Sequence, residues 1–525
     1  MEREKLAFFN PATNTKFGEV VVNTPEEVQQ AVREMRQAFP EWSRKSIQER
    51  ADILHKLQHV LIEQRDEISN VLNMDCGKSR QDGLLELFVA IDMLVQYRHN
   101  AKKWLRRQRV SSGLYIFKRC YIEHRPHGVT AIISPWNYPF TLSLPPMVSA
   151  LLAGNTVVLK ASEVTAATGV LIEKLIKSVP ELAPFVRVVH GDGRVGAALV
   201  ASKPDYIFMT GSTATGKKIM QTAAETLTPV ALELGGKDAM IVLEDAELEA
   251  AARWGAWGAF FNTGQTCMSV ERVYVVESKY DEFVNLAVLQ AQELKSGYST
   301  ELNSPFFMGP VTDQRQVKII DGHLQDALDK GAKILTGGKR DGMFYDPIVL
   351  VNVDHSMKIM RDETFGPVMP IVKVKNEEEA IHLANDNAYG LGASIWSNDI
   401  SHAKRVADRV EAGSIIINDS IAQFGVPMLP FGGTKDSGFG RTHGKEGLLQ
   451  FTRPYSFAIG GAPVKMDVAT VLREMGHYEL ATMIMGVLFG TTLKQKVETF
   501  LQFFRRGKKQ APPAGETSSN TAAAD

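Results

Sequence analysis

The chain has 525 residues, of which 44% are hydrophobic and 23% charged, and its formal net charge is −1. That length exceeds one hydrophobic core, so two or three domains of an ordinary soluble globular protein are expected. The balanced charge provides no basic surface for a duplex, and no nucleic-acid partner is expected.

Taken in chain order, the first predicted elements are amphipathic helices over Pro25–Leu72 and Leu84–Arg106. Leu114–His124 reads as a strand of mixed polarity. From Val129 short apolar runs alternate with helical stretches. Val129–Ser134, Thr156–Lys160, Phe185–Val189, Tyr206–Met209 and Val230–Leu234 are predicted strands. Leu144–Leu152, Thr165–Ser178, Val195–Ser202 and Thr215–Glu225 are predicted helices between them. This alternation predicts an α/β fold with a parallel, doubly wound sheet that takes its ligand at the strand carboxyl ends. The punctuation falls there: Pro135-Trp-Asn-Tyr-Pro139, Lys160-Ala-Ser-Glu163, Gly191-Asp-Gly193 and Gly211-Ser-Thr-Ala-Thr-Gly216 each follow a strand.

A second strand-and-helix series follows Cys267, with strands at Arg272–Val276, Ile348–Val353, Met369–Val374, Gly392–Ser397 and Ser414–Asn418. Phe451–Ile459 is a second outlying strand, and such strands pair with each other or with a neighbouring subunit. Leu480–Phe489 is apolar but too short to span a bilayer. Leu493, Val497, Phe500, Leu501 and Phe504 then form one helical stripe flanked by Lys494, Lys496, Arg505, Arg506, Lys508 and Lys509. That helix packs on the protein's own surface or on another subunit, or it lies at an anionic lipid interface. Ala511–Asp525, rich in Ala, Pro, Ser and Thr, is expected to be disordered.

The three cysteines, Cys76, Cys120 and Cys267, are too few for a disulfide framework and fit a reducing compartment. The charged start Met1-Glu-Arg-Glu-Lys5 shows no export signal, so a cytoplasmic location is expected, with membrane association through the C-terminus as the alternative. Neither CxxC nor HExxH occurs and the 12 histidines are scattered, so no metal site is expected.

Cys267 stands among small and polar residues in Asn262-Thr-Gly-Gln-Thr-Cys267, poor core material but suited to a nucleophile. Glu233, in Leu232-Glu-Leu-Gly-Gly-Lys237, is flanked by leucines and glycines. Desolvation there raises a carboxyl pKa towards the range of a general base at neutral pH. Alone, each residue is also read as a buried free cysteine or a solvated glutamate. Gly211-x4-Gly216-Lys217 approaches a P-loop, but Lys218 stands where a hydroxyl must hold magnesium, and a glycine turn opening a helix still suits a phosphate. Lys160 and Glu163 are either ribose ligands or a surface ion pair. Asn137, between two prolines, is either an oxyanion donor or a turn asparagine.

Together these segments resemble the aldehyde dehydrogenase superfamily, from Asn10-Pro-Ala-Thr13 to about Phe457. The resemblance is carried by Pro135–Pro139, Lys160–Glu163, Phe208-Met-Thr-Gly-Ser212, Leu232–Lys237, Gly264-Gln-Thr-Cys267, Glu363-Thr-Phe-Gly-Pro367, Pro430-Phe-Gly-Gly433 and Ser437-Gly-Phe-Gly-Arg441. It implies a cofactor-binding domain over 1–113 and 125–235, a catalytic domain over 236–447 and oligomerisation strands over 114–124 and 448–460. A helical extension over 461–510 and a tail over 511–525 follow. It also implies that Cys267 attacks an aldehyde, that Asn137 and the Cys267 N–H hold the oxyanion, and that Glu233 activates the water that hydrolyses a thioester. NAD is the implied cofactor and NADP its alternative. Lys160 and Glu163 would bind the adenosine ribose and Ser212, after Gly211, the pyrophosphate. Glu363 and Phe365 would serve the nicotinamide ribose and ring, with Trp136 and Gly193 lining the path. A homodimer or homotetramer is implied.

Acyl transfer to coenzyme A and a catalytically silent scaffold are the rivals, and an intact Glu233 with Cys267 disfavours both. Glu163, with no arginine close behind it, favours NAD. Succinate semialdehyde and hydrophobic, long-chain aldehydes are the candidate substrates. The turn Asp75-Cys76-Gly77-Lys78 departs from many relatives, and little is expected of it.

Overall fold

The computed structural model describes residues 3–113, 115, 118–460 and 478–507. The predicted tail over 511–525, Leu114, Lys508 and Lys509 lie outside the described residues, as does the start of the extension over 461–477.

The first sheet has six strands in the order Gly438–Phe439, Val230–Glu233, Tyr206–Thr210, Val129–Ile133, Thr156–Lys160 and Val186–Val189. All neighbours run parallel except Gly438–Phe439, which pairs antiparallel with Val230–Glu233. Its central strands are buried at every residue, because helices cover both faces. Alternate residues serve the two faces. Ile132, Val157, Leu159 and Phe208 pack with Trp42, Leu54 and Leu151 on one side. Ala131, Ile133, Val158 and Met209 pack with Val28, Met35 and Leu199 on the other. That period of two is the signature of a strand.

The second sheet has seven strands in the order Lys333–Thr336, Ile348–Val351, Val368–Val374, Val270–Val276, Asp238–Val242, Gly392–Trp396 and Ser414–Ile417. It is parallel apart from Lys333–Thr336. Both sheets therefore have the mixed α/β, parallel-strand character expected from the alternation of elements. Asp238–Val242, near the middle of this sheet, was not among the predicted strands. Its apolar run directly follows the glycine turn Gly235-Gly236, and no local signal separates it from the preceding strand.

The predicted stretch Pro25–Leu72 is three helices, Pro25–Arg44, Ile47–Glu63 and Arg65–Cys76. Thr24 and Ser46 each close a capping box with the glutamate three residues on, which fixes where two of them start. The helix predicted at Leu84–Arg106 spans Arg80–Trp104, capped by Ser79.

Arg107–Ile122 and the residues from Ser456 onward form a separate unit. The strand expected at Leu114–His124 begins instead at Lys118 and runs to Pro126. Ile116 and Phe117, like Leu114, lie outside the described residues; Tyr115 N–H donates to Ser112 O and Lys118 N–H to Tyr115 O, and Gly113 has φ +57°. Lys118–Pro126 lies between Gln108–Val110 and Thr452–Gly460 in a three-stranded sheet, so the two outlying strands pair with each other. The extension contains helices Tyr478–Phe489 and Leu493–Gly507. Among the described residues no helix is long and apolar enough to cross a membrane.

Candidate active site

The carboxyl ends of Val129–Ile133, Thr156–Lys160 and Tyr206–Thr210 open on a cleft of about 620 Å³. Trp136, Lys160, Glu163, Gly193, Gly211 and Ser212 line it. Lys160 is buried, and its Nζ donates to Glu163 Oε2 at 2.9 Å. Ser212 is the N-cap of helix Thr213–Ala224, its Oγ accepting from Thr215 N–H, so the positive end of that helix faces the cleft. Arg315 arrives from far along the chain, its guanidinium 4.0 Å from Glu163 Oε1 and paired with Asp313. The expectation that no arginine stands near Glu163 held only for the local sequence. The fold supplies one.

A second cavity of about 210 Å³ shares Pro135, Trp136, Thr210, Gly211, Ser212 and Gln316 with this cleft. It adds Asn137, Glu233, Cys267, Glu363 and Phe365 to its lining. A third, narrow cavity of about 30 Å³, enough for water, also reaches Cys267 and Glu233. Every residue named for catalysis or cofactor binding lines one of these cavities, and Cys267 and Glu233 line both of the last two.

Cys267 ends a contorted segment. Asn262, Thr263 and Gly264 have φ of 52°, 59° and 70°, a left-handed run that a β-branched residue rarely enters. Thr263 is buried and held by its hydroxyl donating to Gly309 O at 2.9 Å. Gly264 has no substitute, since a Cβ there would lie 2.2 Å from Gly366 O. Gln265 O accepts the side-chain amides of Asn137 and Asn262, both at 3.1 Å. Asn137 is thereby tied to the backbone two residues before the thiol.

Glu233 is 5% exposed, and neither carboxyl oxygen has a hydrogen-bond partner among the described residues. Burial pushes its pKa well above the carboxylate range, against the pull of Arg441. Burial likewise raises Glu363 to about 8 and Asp238 to about 8. Glu363 Oε1 accepts from Gly236 N–H at 3.0 Å, and a Cβ on Gly235 would collide with the same carboxylate. Burial, then the charges of Asp238, Glu363 and Glu233, pushes the Cys267 thiol up as well. Burial thus disfavours a standing thiolate at Cys267, the residue that the sequence marks as suited to a nucleophile.

The thiol side of the site is apolar. Cys267 packs against the cluster of Met268, Leu391, Ile421 and Phe431, and Leu391, Phe424 and Phe431 line the narrow cavity with it. No lysine or arginine lines either cavity that reaches it. The sequence did not point to His443 and Gln450, which form a polar floor in the narrow cavity with Nδ1 of the one and both amide atoms of the other unpartnered. His443 is neutral, its pKa pushed down to about 3 by burial.

The aldehyde dehydrogenase family model matches residues 1–456. The chain is 42% identical to a 4,4'-diapolycopene aldehyde oxidase from Methylomonas, covering 86% of this chain and 85% of that protein. It is 37% identical to the peroxisomal aminoaldehyde dehydrogenase 1 of Pisum sativum, covering 85% and 91%. A solved betaine aldehyde dehydrogenase from Staphylococcus aureus in complex with NAD+ superposes with a TM-score of 0.83 at 30% identity, covering 89% and 93%. The NADP-dependent glyceraldehyde-3-phosphate dehydrogenase of Bacillus halodurans, complexed with NADP, gives 0.83 at 32%, covering 87% and 96%. On this sequence and structural agreement over most of its length, the chain belongs to the aldehyde dehydrogenase family.

Proposed function

We propose that the protein oxidises apolar aldehydes to carboxylates through a thioester on Cys267. The observation that carries this reading is the position of Cys267 and Glu233 at the junction of two cavities, one continuous with a dinucleotide-sized cleft. As Cys267 Sγ bonds to the carbonyl carbon, its S–H bond breaks and the proton leaves to solvent water. The Asn137 amide and the Cys267 backbone N–H take the oxyanion. A bound NAD(P)+ would supply the hydride acceptor for that carbon, and the acyl group would then remain on Sγ as a thioester. Glu233 then removes a proton from water, the hydroxide oxygen bonds to the thioester carbon, and the C–S bond breaks to release the carboxylic acid and the thiol.

The cleft fits the cofactor: Lys160 and Glu163 suit an adenosine ribose, the Ser212-capped helix end a pyrophosphate, and Glu363 with Phe365 the nicotinamide end. Trp136 contacts the Phe365 ring edge-on at 5.5 Å. Glu163 favours NAD because its carboxylate repels a 2′-phosphate, and Arg315 is already engaged by Asp313. The aromatic side chains Phe424 and Phe431 beside Cys267, and the absence of lysine and arginine from the described lining of the two cavities at that thiol, disfavour a carboxylated substrate such as succinate semialdehyde, and the 42% identical relative is named for a diapolycopene aldehyde. The test is NADH production over a panel of apolar, aromatic and carboxylated aldehydes. Cys267→Ala should abolish it for all of them; turnover in that variant would overturn the mechanism.

Two further readings belong here. The strand pair Lys118–Pro126 and Thr452–Gly460 is suited to oligomerisation, and light scattering should return a dimer or tetramer mass rather than a monomer. The helix Leu493–Gly507 exposes Leu493, Val497, Phe500 and Leu501 beside Lys494 and Lys496, as a lipid-interface helix does. The full-length protein should float with anionic vesicles, and its absence from them would refute that contact.

A further inference from the structure

We propose that the buried ion pair Lys78–Glu86 is a positioning device for the Asn137 oxyanion donor, an inference that rests on the proposed role of Asn137. Lys78 is the last residue of the turn Asp75-Cys76-Gly77-Lys78, which the sequence reading set aside as inconsequential. Its Nζ lies 2.8 Å from Glu86 Oε2, and the two side chains are 2% and 0% exposed. Lys78 Nζ also donates to the backbone carbonyl of Asn137 at 2.9 Å. Asn262 Nδ2 donates to that same oxygen at 3.2 Å, so both of its lone pairs are used and the Asn137 peptide plane is fixed.

Glu86 holds the other end of the same segment. Its Oε1 accepts from Phe140 N–H at 2.8 Å and Thr141 N–H at 3.0 Å, and its backbone carbonyl accepts from the Thr141 hydroxyl at 2.7 Å. Between the two anchors the Tyr138 ring lies under the Lys78 ammonium, 4.4 Å from its centroid, and the Tyr138 hydroxyl pairs with Thr266 Oγ1 at 2.9 Å. Thr266 immediately precedes Cys267. The lysine and the glutamate therefore clamp residues 137–141 at both ends, and that segment is joined in turn to the nucleophile loop at Gln265 and Thr266.

A buried ion pair adds little net stability over apolar groups of similar size, so stability alone does not account for this one. What it provides is geometry: four contacts of its two side chains fall on the backbone or ring of the segment that carries Asn137. An oxyanion donor is worth about 10²–10³ in kcat, and a displacement of about 1 Å is enough to lose much of that. Lys78 and Glu86 touch no cavity that reaches Cys267 and act only through the segment they hold.

The experiment is a double-mutant cycle on the full-length protein. Lys78→Met alone strands the Glu86 charge and endangers folding, so the working variant is Lys78→Met/Glu86→Gln, which removes both charges at nearly constant volume, with Glu86→Gln as its companion. In the wild-type background kcat should fall about 10–100-fold. NAD affinity by fluorescence titration and the rate of Cys267 alkylation by iodoacetamide should stay within about twofold of wild type, readouts that a general loss of structure would move. In an Asn137→Ala background the same changes should lower kcat by less than about twofold further, because the group they position is gone. An equal fall in both backgrounds, or no fall in a folded variant, overturns the positioning role alone. An Asn137→Ala enzyme with unchanged kcat overturns the oxyanion reading and the proposal with it.

Discussion

Glu233→Gln separates the two halves of the proposed reaction. The substitution keeps the shape of a side chain that is 5% exposed and whose two carboxyl oxygens have no partner, so no hydrogen bond among the described residues is lost. Burial pushes the wild-type carboxyl pKa up, so the neutral amide replaces a group whose charged form is already disfavoured. Fold and cofactor affinity should be unchanged. What disappears is the proton acceptor for water, and a positioned general base contributes about 10²–10⁴ in rate, or about 3–5 kcal/mol of barrier. Acylation of Cys267 does not need that base in the hydrolytic sense, so stopped-flow absorbance should show a burst of NADH equal to the Cys267 concentration, followed by turnover 10²- to 10⁴-fold slower than wild type. The sign of the pH dependence follows from the raised pKa. The carboxylate fraction grows about tenfold per pH unit below that pKa, so wild-type deacylation should accelerate with pH, and the variant should lose that slope. A variant that turns over normally refutes the assignment. A folded variant with neither burst nor turnover also refutes it, because Glu233 would then act before the thioester forms.

Glu163→Gln should raise the ratio of kcat/KM for NADP to that for NAD by about tenfold, or about 1.4 kcal/mol, since it removes one negative charge where a 2′-phosphate would sit; an unchanged ratio would place cofactor choice elsewhere. Asp238→Asn should stabilise the protein at alkaline pH. Burial lifts Asp238 from 3.8 to about 8, so the unfolded chain ionises over that window while the folded one holds its proton, and stability falls with rising pH by up to about 1.4 kcal/mol per unit. The Tm advantage of the variant should therefore widen between pH 5 and pH 8, and a constant difference would contradict that ionisation. Gly264→Ala should yield little folded protein or an inactive one, because its Cβ would meet Gly366 O at 2.2 Å; near-normal activity would deny the contorted loop its role in presenting Cys267.

The cleft proposed to hold the cofactor was legible in the sequence because a strand buried on both faces leaves a continuous apolar run, and a ligand site at its carboxyl end leaves a polar or glycine-rich turn. Thr156–Lys160 followed by Glu163, and Tyr206–Thr210 followed by Gly211 and Ser212, follow that pattern residue for residue. What escaped was of two kinds. Asp238–Val242 and the hairpin Lys5–Phe9 with Lys16–Val21 lack local contrast with the motifs beside them. Arg315, Lys78, His443 and Gln450 reach the site or its supporting segments from remote positions, and nothing in their neighbours distinguishes them from surface residues. Proximity in three dimensions was their only signal.

The protonation pattern explains why so many acids can surround one thiol without mutual repulsion. Glu233 is raised well above its ordinary range, Glu363 and Asp238 to about 8, each chiefly by burial, and Cys267 is raised with them. Glu363 and Asp238 are therefore mostly protonated at neutral pH, which is compatible with the apolar Phe424 and Phe431 on the thiol side. A thiolate formed permanently in that setting would be destabilised by the same desolvation and by every carboxylate that ionised with it. On the proposed mechanism the nucleophile appears only as it attacks, when its charge passes to a carbonyl oxygen that Asn137 and a backbone N–H would hold. On this account the strained presentation of Cys267 and the clamp on Asn137 are parts of one requirement: since burial withholds a standing anion, the donors must already be aimed at the place where the charge will form.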